Sequence, residues 1–145
     1  MPASDETETA IRERLGRIVE ALEAKSLDEL KDCYTEDVVS FDIEPPLQHV
    51  GADAKLRNWA NAFASFRELR YELRNLAVTA DGDVAFAHGF GRLSGTLANG
   101  TATEGMWVRV TYCLKRTGGE WRIAHDQVSV PFDLATGRGV ADLEP

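Results

Sequence analysis

The sequence predicts an α+β fold in which three N-terminal helices pack on a curved, mainly antiparallel sheet. In the first third of the chain, apolar residues recur at spacings of three and four, which is typical of helices with one buried face. After Phe66 the apolar pattern changes to period two, which is typical of strands. Three glycine-containing segments interrupt this second part at short intervals, as hairpin turns do.

The helices are predicted from their apolar faces and from one capping pattern. The first helix starts near Glu8, and its buried face consists of Ile11, Leu15, Ile18, Val19 and Leu22. The segment Ser26-Leu-Asp-Glu29 is a capping box, which predicts a short second helix that runs to about Tyr34. A third helix is expected over residues 51–66, with Leu56, Trp59, Ala60 and Phe63 along one face.

The strands are predicted from composition and from the turns between them. The segment Val38-Val-Ser-Phe-Asp42 favours a short strand, which Pro45-Pro46 ends because proline cannot donate to a ladder. The predicted turns are Ala80-Asp-Gly-Asp83, Ala98-Asn-Gly-Thr101 and Arg116-Thr-Gly-Gly119. They leave four strands, at about 68–79, 84–97, 102–115 and 120–130. Residues 1–131 are expected to form a single domain, and residues 132–145 a loose tail.

The turns also predict which side chains share a face of the sheet. A turn at Asn99-Gly100 places His88 opposite Thr111, and a turn at Thr117-Gly118 places Arg109 opposite Asp126. One face then collects Phe86, His88, Phe90, Arg92, Trp107, Arg109, Thr111, Ala124, Asp126 and Val128. The other face is mostly apolar and includes Val108, Val110, Tyr112, Leu114, Trp121, Ile123 and His125. We expect the helices to cover the polar face and to form a pocket there.

Since the helices cover one face only, the apolar face is expected to pack against a second copy of the chain, giving a homodimer. A bulge in the last strand would change the face on which His125 lies.

Composition excludes several classes of partner. The chain has 145 residues with 16 Lys and Arg against 24 Asp and Glu, giving a net charge of -8. Phosphate contact needs a basic surface, so neither nucleic acid nor an anionic membrane is an expected partner. The cysteines, Cys33 and Cys113, are too far apart for a metal-binding motif or a disulfide framework. A soluble cytoplasmic protein that acts on small molecules or on other proteins is the expectation.

The order of these elements resembles the α+β cone of the nuclear-transport-factor-2-like (NTF2-like) superfamily. Local segments resemble its SnoaL-like branch, and together they span about residues 8–132. They are Tyr34-Thr-Glu-Asp-Val-Val-Ser-Phe-Asp42, Pro45-Pro46-Leu47, Gly51, Gly82-Asp-Val-Ala-Phe86 and Gly119-Glu-Trp-Arg-Ile-Ala-His-Asp-Gln-Val-Ser129. Ketosteroid isomerases and SnoaL-type polyketide cyclases are enzymes of this superfamily, but the fold also hosts noncatalytic modules.

The resemblance implies a position for a general base. In the steroid isomerases this base is an Asp at the end of the first strand, where Asp42 falls. The tyrosine and the protonated Asp that donate hydrogen bonds in those enzymes match positions near Ile18 and at Thr111, so both donors are absent. The resemblance therefore implies the base without the complete isomerase constellation.

The candidate catalytic residues are Asp42, His88, Arg109 and Asp126. In the functional interpretation, Asp42 is a general base, His88 and Arg109 stabilise developing negative charge, and Asp126 holds Arg109 in place. The alternatives are a solvated or capping Asp42, a core His88, and a structural ion pair between Arg109 and Asp126.

The predicted pocket is lined by aromatic and polar side chains that could equally be core. They are Trp59, Phe63, Tyr71, Phe90, Arg92, Trp107 and Thr111. His88, Arg92 and Arg109 would make the pocket locally positive, which favours an apolar ligand with an anionic or carbonyl group. No spacing typical of a metal site, a phosphate-binding loop or a nucleophile elbow is found, so neither a metal nor a cofactor is expected.

The sequence thus predicts a SnoaL-like, small-molecule-binding protein. It would be a cofactor-independent isomerase, cyclase, dehydratase or hydrolase, or else a noncatalytic ligand-binding or dimerisation module.

Overall fold

The computed structural model describes residues 5–145; residues 1–4, which the predicted domain includes, lie outside the described part. Its helices are α1 (Asp5–Glu23), α2 (Leu27–Cys33) and α3 (Ala52–Ser65). The apolar stripe of α1 is buried against the sheet, as its spacing predicts. Ser26 caps α2, since its Oγ accepts a hydrogen bond from the backbone N–H of Glu29 at 3.2 Å. No helix in the described part is long and apolar enough to cross a membrane.

Six strands form the main sheet. They are β1 (Tyr34–Phe41), β2 (His49–Val50), β3 (Phe66–Asp81), β4 (Val84–Leu97), β5 (Ala102–Thr117) and β6 (Glu120–Ser129). Their order across the sheet is β2-β1-β6-β5-β4-β3, and β1 runs parallel to β6 while the other pairs are antiparallel. Three helices on a mainly antiparallel sheet confirm the predicted α+β class.

The helices cover the apolar face of the sheet, which corrects the predicted arrangement. Val108, Val110, Tyr112 and Leu114 are 5% exposed or less and belong to the core beneath the helices. The apolar stripes of the helices need an apolar partner, and this face of the sheet supplies the largest one. We call this helix-covered side the inner face and the opposite side the outer face.

The register between β5 and β6 also differs from the prediction. Arg109 lies opposite Ser129, and Asp126 lies opposite Tyr112. The last hairpin turns at Gly118-Gly119, one residue later than predicted, because both residues have positive φ (60° and 80°) and glycine adopts such values readily. A register shift between Cys113 and Leu114 adds one further residue on β6. Asp126 therefore points to the inner face with Tyr112.

Residues 132–145, predicted to be a loose tail, include a short hairpin. Its strands, β7 (Phe132–Asp133) and β8 (Arg138–Gly139), pair with each other and form a separate two-stranded sheet. The backbone N–H of Val140 donates to the carbonyl of Pro131 at 2.8 Å, which closes the hairpin at its base.

We predict that Leu15→Ala lowers the free energy of unfolding by about 2–5 kcal/mol, because it opens a cavity where α1 meets the sheet. Leu15 is 0% exposed. Leu47→Ala is the matched control, since Leu47 is 96% exposed and its truncation leaves no cavity. Urea titrations of the two variants and the wild type measure the difference. Equal losses in both variants would contradict the burial of Leu15.

Candidate functional site

A cavity of about 390 Å³ lies between the inner face, α1 and α3, within the size range of small-molecule sites. Most of its wall is apolar or aromatic, with a few polar groups. The lining residues are Ile18, Leu22, Tyr34, Asp42, Ile43, Glu44, Lys55, Asn58, Trp59, Asn61, Ala62, Ser65, Phe66, Tyr71, Leu93, Met106, Val108, Tyr112, Asp126 and Val128. Such a cavity suits a small molecule that is mainly apolar.

Asp42, Lys55 and Asp126 form a cluster at the cavity wall, which we call the carboxylate–lysine cluster. The Nζ of Lys55 lies 3.1 Å from Oδ2 of Asp42 and 3.3 Å from Oδ2 of Asp126. The Lys55 and Asp126 side chains are almost fully buried, at 1% and 2% exposed, whereas Asp42 is 12% exposed. Two carboxylates and one ammonium leave the cluster with a net charge of minus one.

The local sequence brings these side chains together. Ser40 and Asp42 are two residues apart at the end of β1, so both point inward, and Ser40 pairs with Asp126 on the parallel strand β6. The Ser40 hydroxyl donates a hydrogen bond to Asp126 and lies 3.5 Å from Oδ2 of Asp42. On α3, Asn58 is one turn after Lys55, and its Nδ2 donates to Asp42 at 2.7 Å. Every member of the cluster therefore has a polar partner.

The Lys55 ammonium is stabilised despite its burial. Burial alone would lower the pKa of Lys55, but the charges of Asp126 and Asp42 and their hydrogen bonds outweigh it, so the pKa is raised. The ammonium also lies 5.6 Å from the centre of the Trp59 ring and 5.9 Å from that of Tyr34. Lys55 therefore stays charged at neutral pH.

Three buried phenols complete the polar part of the cavity. Burial raises the pKa of Tyr71 to about 12, although its hydrogen bond with Tyr112 opposes the rise. Burial raises the pKa of both Tyr34 and Tyr112 well above the ordinary range. The next cause is the charge of Asp126 for Tyr34 and the neighbouring phenols Tyr71 and Tyr34 for Tyr112. All three phenols keep their protons at neutral pH. Tyr112 donates a hydrogen bond to Tyr71, and Tyr34 accepts from Trp59, so the hydroxyl protons of Tyr34 and Tyr71 remain available for a ligand.

Gly91 makes room for Tyr71. A Cβ atom at Gly91 would overlap the hydroxyl of Tyr71, which lies over this part of β4. Gly91 pairs with Leu73 on one side and Val108 on the other, so it is central in the sheet. The missing side chain lets Tyr71 extend across the strand toward Tyr112.

Only some of the predicted site residues meet at this cavity. Asp42, Asp126, Trp59 and Tyr71 line it, whereas Phe63 is buried in the core, with its ring 6.1 Å from that of Trp59. The remaining predicted residues lie on the outer face because the helices cover the other side of the sheet. They are His88, Phe90, Arg92, Trp107, Arg109 and Thr111.

The predicted ion pair between Arg109 and Asp126 is wrong. Arg109 donates to Oγ of Ser129 at 3.1 Å on the outer face, and Asp126 pairs with Lys55 instead. His125 lies on the outer face, where it contacts Phe41 edge-on at 4.7 Å between ring centres. The three residues expected to make the pocket positive, His88, Arg92 and Arg109, do not reach it.

The sequence reasoning missed Lys55, Asn58, Ser40, Tyr34 and Tyr112. Lys55 offered a signal, because it lies three residues after Ala52 and four before Trp59, on the buried stripe of α3. A lysine at such a position needs a carboxylate partner. Tyr112 was placed on the apolar face correctly, but that face was assigned to a dimer contact.

The buried phenols predict a loss of stability at alkaline pH. The pKa of Tyr71 is about 12 in the folded chain against an ordinary 10.0, so its stabilising contribution is complete below pH 10 and is lost as pH rises toward 12. We expect the melting temperature to fall less steeply over this interval in Tyr71→Phe than in the wild type. Thermal melts of both proteins from about pH 8 to about pH 12, a range that includes both pKa values, measure this difference. Parallel curves would contradict the burial of this phenol.

Comparison with known proteins agrees with this architecture. A family model described as a SnoaL-like domain matches residues 11–133. An NTF2-like protein of unknown function from Pseudomonas putida KT2440 is 29% identical, with a TM-score of 0.88 over 98% of this chain and 99% of that one. No curated protein matches the chain significantly.

Two more distant structures share the fold. An NTF2-like superfamily protein from Salmonella enterica serovar Typhimurium LT2 is 17% identical, with a TM-score of 0.81 over 95% of this chain and 100% of that one. A ketosteroid isomerase-like protein from Erwinia carotovora atroseptica SCRI1043 is 20% identical, with a TM-score of 0.72 over 87% and 97%. The chain has helices packed on a curved sheet around a cavity, and the family model matches most of its length. It therefore belongs to the SnoaL-like domain family of the NTF2-like superfamily.

Proposed function

We propose that the protein binds a small, neutral, largely apolar molecule in this cavity and that Asp42 acts on it as a general base. The reaction would be a cofactor-independent isomerisation, cyclisation, dehydration or hydrolysis. The observation that carries the proposal is the partly exposed carboxylate of Asp42, held by Lys55 and Asn58 in a cavity that also contains protonated phenols.

The chemistry of an enolisable substrate illustrates the proposal. Asp42 takes a proton from a carbon next to a carbonyl group, and the electron pair of the C–H bond moves into an enolate. A phenol such as Tyr71 donates a hydrogen bond to the enolate oxygen. Isomerisation follows if Asp42 returns the proton to another carbon. Dehydration follows if a β-hydroxyl group leaves and takes that proton as water.

The charges in the cavity favour a neutral substrate over an anionic one. The carboxylate–lysine cluster carries a net charge of minus one. An anion would meet repulsion that the low local dielectric strengthens. A carbonyl or hydroxyl group can instead accept hydrogen bonds from the phenols without an added charge.

We predict that Asp42→Asn strongly lowers turnover but preserves binding. A thermal-shift screen with neutral cyclic ketones, enones and β-hydroxyketones identifies ligands, and mass spectrometry then follows their conversion. Asparagine keeps the shape of Asp42 and leaves Lys55 paired with Asp126, so the variant should fold. Turnover should fall by about 100-fold or more.

The matched control is Asp37→Asn, which removes an exposed carboxylate from the same strand. It should leave turnover unchanged. Full turnover in Asp42→Asn would exclude Asp42 as the base.

A noncatalytic binding module is the alternative function, and one observation favours it. Asp42 already accepts hydrogen bonds from Lys55 and Asn58, with the Ser40 hydroxyl at 3.5 Å. These partners occupy lone pairs with which a base would accept a substrate proton. Ligands that stabilise the wild type and Asp42→Asn equally, with no conversion by either, would support this alternative.

We also propose that the protein is a homodimer through the outer face. The apolar residues predicted to form this contact lie under the helices, so the contact must use the other side of the sheet. The outer face exposes aromatic rings, including Phe86 at 47% and Phe41 at 39%, and Trp107 lies between Arg74 and Arg92. Exposed rings in such number are typical of an interaction surface.

The dimer has a direct test. The wild type should sediment as a dimer at micromolar concentration, and Trp107→Glu should be monomeric because it replaces an aromatic ring of the outer face with a carboxylate that the contact would bury. Leu134→Glu is the control, since Leu134 is 88% exposed in the tail hairpin. A monomeric wild type would refute the proposal.

A cytoplasmic location is part of the same proposal. Cys33 and Cys113 are both free thiols, and Cys33 is buried. Free thiols are typical of proteins in a reducing compartment.

A further inference from the structure

The two carboxylates of the carboxylate–lysine cluster have unequal surroundings. Asp126 is buried on β6, where it accepts the Ser40 hydroxyl and faces Lys55. Asp42 contacts the same ammonium. Both carboxylates border the cavity, but Asp42 is 12% exposed against 2% for Asp126. Asp42 is thus the more accessible of the two to a ligand.

We propose that Asp126 is a positioning residue that serves as the permanent counter-ion of Lys55 and thereby allows Asp42 to gain and lose a proton. This inference rests on the proposed function, because it explains how a lysine-paired carboxylate can still act as a base.

The argument follows from the cost of an unpaired buried charge. Lys55 is 1% exposed, and an ammonium at such a place is strongly unfavourable without a partner. If Asp42 were its sole counter-ion, a proton on Asp42 would leave the ammonium uncompensated, so Asp42 would resist protonation. With Asp126 present, protonation of Asp42 leaves a neutral Lys55–Asp126 pair.

Repulsion between the two carboxylates also favours a proton on Asp42. When both are ionised, the cluster carries a net charge of minus one, and a proton on Asp42 removes that charge. Asp126 has lower access to solvent and to ligand, so Asp42 is the site at which a substrate proton can arrive. The pKa of Lys55 is raised by both carboxylates, so the ammonium does not give up its own proton instead.

The other groups around Asp42 do not supply a competing charge inside the cavity. They come from every element that packs around it: Asn58 on α3, Ser40 and Tyr34 on β1, Tyr71 on β3, Tyr112 on β5 and Glu44 in the following loop. Asn58, Ser40 and the phenols are neutral at neutral pH. Glu44 is exposed, so water and salt screen its charge. Helix α1 contributes only apolar side chains, Ile18 and Leu22, to the cavity lining.

The test is a carboxyl titration that needs no substrate. Carbon-13 NMR of aspartate side chains gives the midpoint of the Asp42 titration, which the Asp42→Asn spectrum assigns. In Asp126→Asn this midpoint should move to lower pH by about one unit or more, because the second counter-ion and its repulsion are gone. The exposed Asp37 in the same spectra should keep its midpoint. An unchanged or higher midpoint for Asp42 would overturn the inference.

A second pair of variants covers the case in which Asp126→Asn does not fold. Lys55→Met and the double variant Lys55→Met/Asp126→Asn both lack the ammonium, and the double variant also lacks the buried carboxylate. Replacement of both partners of a buried ion pair is better tolerated than removal of one. If Asp126 is the counter-ion of Lys55, Lys55→Met leaves its buried carboxylate unpaired, so the double variant should have the higher free energy of unfolding in urea titrations. An equal or lower value in the double variant would overturn the inference.

This experiment can fail independently of the proposed function. A shifted midpoint together with full turnover in Asp42→Asn would refute the base and leave the role of Asp126 intact. An unchanged midpoint together with lost turnover in Asp42→Asn would refute the role of Asp126 alone. If Asp42 is the base and Asp126 is the counter-ion, the acid limb of the pH–rate profile should move to lower pH in Asp126→Asn. A purely structural role of Asp126 would instead lower the rate equally at all pH values.

Discussion

The burial of the Lys55 ammonium is the constraint on which the site depends. Its Nζ lies within 3.3 Å of two carboxylates, one at the end of β1 and one on β6. An ammonium on the buried stripe of α3 is tolerable only because these carboxylates reach it, so the positions of helix and strands are coupled. Asp126 reaches the ammonium because it pairs with Ser40 on the parallel strand and because the register shift in β6 turns it to the inner face. A change in either would remove Asp126 from the ammonium and leave Asp42 as its remaining carboxylate partner.

The apolar part of the cavity keeps the phenols protonated and strengthens the hydrogen bonds that they make. The phenols of Tyr34, Tyr71 and Tyr112 are buried in the same wall as Trp59 and keep their protons because burial disfavours the phenolate. Hydrogen bonds in such surroundings compete with less water than they would at the surface. The Tyr71 hydroxyl occupies the space that a side chain at Gly91 would fill. The position of this hydrogen-bond donor in the cavity therefore depends on a glycine in β4.

Sequence patterns predicted the helices, the fold class and the β4–β5 register from Val84 to Leu93, since these depend on local periodicity. Next to the Asn99-Gly100 turn the pairing differs by one residue from the prediction, because the register shifts between Leu93 and Gly95. The patterns also placed Asp42 at the end of β1. They failed at β6, because the register shift beside Leu114 has no local signal and reverses the face of every later residue. The predicted face was wrong for another reason. The apolar residues of the sheet were assigned to a contact with a second copy, but the apolar faces of the helices in the same chain pack against them.

The corrected faces change the kind of ligand that the cavity suits. A chain with a net charge of -8 could still have held a positive pocket if Arg92, Arg109 and His88 had faced the helices. They lie on the outer face, and the buried cation that replaces them, Lys55, is already outnumbered by Asp42 and Asp126. An anionic ligand would add a third negative charge next to this cluster, where protein rather than water surrounds it. A neutral carbonyl compound meets protonated phenols and the partly exposed carboxylate of Asp42, so its negative charge would develop only during reaction, opposite groups that can donate to it.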